Sequence, residues 1–127
     1  MPSPSPRPQD ELIASLKKAT RGLLYPSESD EPFEPFIWKP TTNDPAKEIT
    51  AHSAPGAKIR EQSVDDFFAA LTTSENAERY AALRRELESR LKGLRVFRVG
   101  EIEVAVYLIG KTPTGEWAGL RTTSVET

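Results

Sequence analysis

The residues able to do chemistry are few and unevenly placed. His52 is the single histidine of the 127-residue chain, and cysteine is absent. Without a thiol there is no disulfide, no Cys-ligated zinc, no iron–sulfur cluster and no thiolate nucleophile. One imidazole also removes every His-pair metal motif. His52 stands next to Ser53 in a stretch rich in Pro and Gly. A Ser–His nucleophilic pair must meet through space with a third group orienting the base, and sequence neighbours do not supply that. His52 therefore reads as an exposed loop histidine. The run "ESDEPFE" places Glu28, Asp30, Glu31 and Glu34 within one short stretch. A calcium loop would need regularly spaced oxygens and a conformational glycine, and neither is present. A carboxylate pair for glycoside hydrolysis would need a cleft, usually in a larger chain. The plain reading is a solvated acidic loop. The sharper one is a negative prong for a basic partner, which needs only exposure and charge. At the other end, "TTSVET" closes on Glu126 and the α-carboxylate of Thr127. These are hard oxygen donors of the kind Mg²⁺ accepts, although a frayed polar terminus is the common case.

Arg79, Arg84, Arg85, Arg90, Lys92, Arg95 and Arg98 make residues 79–98 locally basic. Nucleic-acid binding would ask for interleaved stacking aromatics, but Tyr80 and Phe97 fall on apolar positions. The total of 17 basic against 19 acidic residues gives a net charge of −2. No global field invites nucleic acid, so these arginines read as a solvated face.

The elements that must position these groups are legible in part. A chain of this length buries roughly two thirds of its unfolded surface, enough for a core without staples. Ten of the 11 prolines lie at or before Pro55, so the first half reads as irregular and the second as regular. Residues 1–9 alternate Ser and Pro and predict a disordered tail; residues 10–127 form a single domain. No hydrophobic leader or membrane span is present, which predicts a soluble, cytoplasmic protein. Asp10 is the expected N-cap of a first helix carrying Leu12, Leu16, Ala19 and Leu23, stopped at Gly22. Residues 26–32 predict an acidic loop and residues 33–38 a strand, at an edge or bulge because Pro35 cannot donate to a ladder. Short strands are expected near Ile49 and over "AKIREQ". Ser63 and Asp66 have capping-box form and open a helix burying Phe67, Phe68 and Leu71. Asn76 or Ser74 caps the next helix, whose stripe runs Tyr80, Leu83, Leu87, Leu91 and Leu94, with Arg90 and Lys92 in its last turn and Gly93 as its stop. From Arg95 the chain reads as strands. Ile102, Val104, Val106 and Leu108 alternate with residues that are also apolar after Val104, so that strand should be central and covered on both faces. "KTPTGE" supplies a hairpin loop into "WAGLRTTSV". The fold class expected is α+β, a mostly antiparallel meander with helices packed on it.

Two blocks carry a resemblance that goes further: "GLLYPSESDEPFEPFIW" (22–38) and "VFRVGEIEVAVYLIGKTPTGEWAGLRTTSVET" (96–127), together 49 residues. They resemble the nuclease A inhibitor family, small proteins that block a sugar-non-specific, Mg²⁺-dependent endonuclease cleaving DNA and RNA. The matching features are Gly-Leu-Leu, Ser-Glu-Ser, Pro-Phe-Glu, a Phe and a Trp. They continue with Gly-Glu-Ile-Glu, Thr-Pro-x-Gly, Ala-Gly and a terminal Val-Glu-Thr. The resemblance implies an α/β/α sandwich that plugs the nuclease active site. It implies that Glu28 pairs with an arginine near the catalytic centre and that Thr127 reaches the partner's Mg²⁺. Ser27, Asp30, Glu31 and Glu126 accompany them as partner-binding candidates. It implies a non-enzymatic monomer with no cofactor of its own, binding one nuclease and touching neither nucleic acid nor membrane. The pattern has an acidic, Trp-containing insertion where this chain carries only "TTSENAER" (72–79). That departure motivates the alternative, a binding module of the same fold directed at a non-nuclease protein. A small hydrolase using the acidic loop is a third, poorer reading.

Overall fold

The structure is a computed structural model and describes residues 8–25, 30–53, 56–71 and 76–125. Chain order is α1 (Pro8–Ala19), β1 (Leu24–Tyr25), β2 (Glu31–Pro32), β3 (Glu34–Trp38), α2 (Pro45–Ala51), β4 (Ile59–Gln62), α3 (Val64–Ala69), α4 (Ala77–Arg90), β5 (Lys92–Val99), β6 (Glu103–Lys111) and β7 (Trp117–Val125). β5, β6 and β7 form the expected meander. The full sheet is five-stranded and antiparallel in the order β3–β7–β6–β5–β4, while β1 and β2 pair separately.

The double alternation along β6 explains the layering. Val104, Val106 and Leu108 enter one core with Leu12 and Leu16 of α1, Phe67 and Phe68 of α3, and Tyr80, Leu83 and Leu87 of α4. Tyr107 and Ile109 enter a second core with Phe97, Val99, Trp117 and Ile49 of α2. A strand apolar on both sides must be covered on both, and β6 is accordingly the central strand of an α/β/α arrangement. Pro35 lies on β3, an edge strand, as its missing donor requires. Gly119 allows β7 to press against β6, since a Cβ there would lie 1.7 Å from the Leu108 carbonyl oxygen. At α3, Ser63 is the N-cap and accepts from the Asp66 amide at 3.0 Å, and Phe67, Phe68 and Leu71 are buried.

Four expectations are corrected. α1 opens at Pro8, two residues before Asp10, because proline suits the first helical turn where no amide partner is needed; Asp10 lies in that turn. The stretch around Ile49 is helix and not strand. Asp44 caps it, accepting from the Ala46 amide at 2.9 Å, and Pro45 follows as the first helical residue. Pro45 and Ile49 are the buried apolar side chains of this short helix, too few to show a period. Glu31 and Pro32 are not loop but β2, paired with Tyr25 and Leu24. Finally, α4 ends at Arg90. Leu91 is extended, and Lys92, Gly93 and Leu94 belong to β5. Leu94 still packs on the core, so its side matched a helical stripe although its backbone did not. Pairing of Lys92 with Lys111 sets the strand start, and the register slips before Arg95, where Gly93 takes φ +65°.

Candidate interface at one end of the sheet

The acidic stretch and the chain's last strand meet through a row of residues on the α1/α3/α4 face. Arg98, Val106 and Thr122 are register partners across β5, β6 and β7. The β1–β2 hairpin lies against this row. Thr122 Oγ1 donates to the Pro32 carbonyl at 2.9 Å and approaches that of Glu31 at 3.3 Å. Arg98 Nη1 approaches Tyr25 Oη at 3.4 Å. Tyr25 stacks on Phe67 with centroids 5.6 Å apart and meets the edge of Phe33 at 6.1 Å. Tyr80 Oη donates to the Leu24 carbonyl at 2.8 Å, and burial pushes the Tyr80 hydroxyl's pKa up. A two-residue hairpin is too short to be stable alone, and these contacts are what hold it.

Asp30 is exposed and adopts φ +48°, a left-handed conformation that Asp tolerates better than most side chains. Glu31 is half-buried. Glu34 is exposed at the start of β3, opposite Arg121. Val125, the last described residue, pairs with Glu103 three positions beyond Thr122. The hairpin and the end of β7 thus share one end of the sheet. Ser27, Glu28, Glu126 and Thr127 lie outside the described residues; their neighbours Tyr25, Asp30 and Val125 all stand at this end.

Ile102 was expected in the alternating strand row with Val104, but β6 begins at Glu103 and Ile102 is exposed in the turn before it. Gly100, Glu101 and Ile102 turn the chain from β5 into β6 beside Val125's partner Glu103. The Gly100 amide donates to the Lys58 carbonyl at 2.9 Å, and Lys58 Nζ pairs with Glu101 at 2.8 Å. Nothing in the local pattern places that turn next to the terminal strand. With Asp30, Glu31 and Glu34, the carboxylates Glu101 and Glu103 bring five acidic side chains to this end. Of the basic side chains here, Lys58 pairs with Glu101 and Arg121 Nε donates to Tyr107 Oη at 3.2 Å, Arg98 lies against Tyr25, and Arg60, the register partner of Arg98 on β4, is exposed.

The rest of the molecule offers little chemistry. His52 is exposed, its ring stacked on Trp38 at 3.7 Å, while Ser53 Oγ donates to the Ile49 carbonyl at 2.6 Å, so the two do not form a nucleophilic pair. The basic stretch is largely paired within the fold: Arg84 with Asp65 and Glu88, Arg90 with Glu86, Arg95 with Glu61. The two-pronged hydrogen bond from Arg95 holds the Glu61 carboxyl below its ordinary pKa. Arg79 caps the end of α1 through the Arg21 carbonyl at 2.6 Å. Among the described residues no group of three His, Cys, Asp or Glu could hold a metal ion, and no helix is long and apolar enough to cross a membrane.

A family model described as Nuclease A inhibitor-like protein matches residues 10–127. The chain belongs to the nuclease A inhibitor-like family. The match spans nearly the whole chain, including residues 40–62 and 72–79, where the two motif blocks were silent. No curated protein matches the chain. Membership in an inhibitor family agrees with a site made of presented charge beside a braced hairpin.

Proposed function

We propose that this protein silences a Mg²⁺-dependent, sugar-non-specific endonuclease by filling its active-site cleft. The loop carrying Glu28 enters beside the end of β7, with Ser27, Asp30, Glu31 and Glu126 flanking. Glu28 pairs with an arginine of the cleft, and the Thr127 carboxylate reaches the nuclease's metal. A cleft built for a phosphodiester carries a metal and cations that stabilise developing negative charge. A carboxylate can occupy the place of a phosphate oxygen there while offering no bond to cleave. The acidic end also steers a cationic partner and raises the on-rate. The inhibitor acts as a monomer, one per nuclease, in the cytoplasm of the producing cell, and carries out no reaction itself.

The observation that supports this reading best is the Thr122 tether. It joins the segment after Glu28 to the strand before Thr127, which supports the reading that the two act together. The test is inhibition of plasmid degradation by such a nuclease, with and without a short tag after Thr127. The untagged protein should stop degradation. The tagged one should inhibit roughly 30-fold less well or worse, since losing one partner of a buried charge contact costs ~2–5 kcal/mol. Equal inhibition by both would remove the terminal carboxylate from the mechanism. No inhibition by the untagged protein would favour the non-nuclease binding module.

A further inference from the structure

Charge is not all that this end presents. Among the described residues, two large apolar side chains are strongly exposed: Ile102 at 67% and Leu24 at 48%. Both stand at the proposed interface. Ile102 precedes Glu103, the register partner of Val125, and so flanks the end of β7. Leu24 lies on β1, at the entrance to the stretch that carries Glu28.

Neither side chain is on a loosely held tip. The turn that carries Ile102 is tied to residue 58 by the Gly100 amide and by the Lys58–Glu101 pair. Gly100 holds φ +110°, and a Cβ there would lie 2.6 Å from the Glu103 carbonyl oxygen, so the turn is tight as well as tied. Leu24 is held through its carbonyl by Tyr80 and through its pairing with Pro32. Isoleucine and leucine so exposed contribute little to the core. Ile102, held between Glu101 and Glu103, and Leu24, held from its backbone, have the form of apolar anchors.

We propose that Ile102 and Leu24 are apolar anchors of the nuclease interface, seated on the rim of its cleft. This rests on the inhibitor reading above. The reason is electrostatic. A carboxylate–arginine or carboxylate–metal contact is weak while water reaches it and strengthens when water is excluded. Apolar contacts around the plug exclude that water, as the ring around a hot spot does. Acidic residues then set the rate of association, and the anchors set the rate of dissociation.

The test uses the whole protein against a panel of Mg²⁺-dependent, sugar-non-specific endonucleases degrading plasmid DNA. The variants are Ile102→Ser, Leu24→Ser and Ile102→Leu, with Glu31→Gln for comparison. Urea unfolding of each checks that the fold is kept. Ile102→Ser is expected to raise the inhibition constant about tenfold or more, through faster dissociation and with an unchanged dependence on salt. Leu24→Ser should do the same to a lesser degree, and Ile102→Leu should inhibit almost as well as the native chain. Glu31→Gln should instead slow association and reduce the salt dependence. Native inhibition by both serine variants would overturn the anchor assignment and leave the inhibitor reading standing. So would a change in sedimentation showing that Ile102 serves contact between copies of this chain. Failure of the native protein to inhibit any nuclease of the panel would overturn both.

Discussion

Replacing Thr122 by valine tests whether the hairpin is placed by the sheet. Thr122 is 2% exposed, and valine keeps its branched shape, so packing and strand preference change little. What is lost is the hydroxyl that donates to the Pro32 carbonyl at 2.9 Å; the 3.3 Å approach to Glu31 is long and adds little. A net hydrogen bond of ~1 kcal/mol, with part of the penalty for a part-buried carbonyl left unpaired, sums to about 1–2 kcal/mol. Tyr25 on Phe67 and Tyr80 on the Leu24 carbonyl still hold the hairpin, so it loosens without detaching. If the hairpin positions the inhibitory loop, affinity can fall by no more than that loosening, about 5- to 30-fold. Urea midpoints at unchanged slope give the stability change, and hydrogen exchange at Tyr25 and Glu31 reports the hairpin. Titration against the nuclease gives the affinity. Thr122→Ser, which keeps the hydroxyl, should retain inhibition and hairpin protection. A Thr122→Val protein within ~0.3 kcal/mol of native stability and with unchanged exchange at the hairpin would refute the tether. So would an affinity loss far beyond 30-fold with the hairpin intact.

Glu48 is buried and accepts from the Thr41 amide at 2.6 Å and from Thr41 Oγ1 at 2.8 Å. Burial alone would raise its pKa, but hydrogen bonds from Thr41 and Thr42, with His52 nearby, outweigh it and hold the carboxyl below its ordinary value. A depressed carboxylate pKa stabilises the fold above the ordinary carboxylate range, and that contribution is lost as pH falls through the folded value. Glu48→Gln should therefore cost about 1–3 kcal/mol at neutral pH, with the two urea-midpoint curves converging in acid. Parallel curves would show that the charge is not what matters. Gly119→Ala should destabilise by about 3 kcal/mol or more, because a Cβ 1.7 Å from the Leu108 carbonyl oxygen must push β6 and β7 apart; a calorimetric melting temperature within ~2 °C of native would contradict that packing.

Much of the fold could be read along the chain, and the reasons are local. The double alternation of β6 announced a central strand, Pro35 announced an edge, and Ser63 with Asp66 announced a helix start. Each rests on one residue's own backbone chemistry or on a period within a few residues. The family resemblance rested on motifs at the two ends of the domain, and the family match carries it across the middle. The reading failed where elements were too short to show a period. α2 spans seven residues around one buried isoleucine, and β1 and β2 span two residues each. At the end of α4, Leu91 and Leu94 face the core from extended backbone as well as they would from helix.

By itself, the sequence determined which charges exist, where Ser63 opens a helix, and that thiol chemistry and His-pair metal sites are absent from this chain. It also determined a sheet apolar on both faces. Only the tertiary structure decided that Glu31 and Thr122, 91 residues apart, touch, and that the Ile102 turn stands beside the end of β7. The physical reason is that local rules govern backbone shape and hydrophobic facing, whereas an interface is built from groups whose only relation is the packing that brings them together.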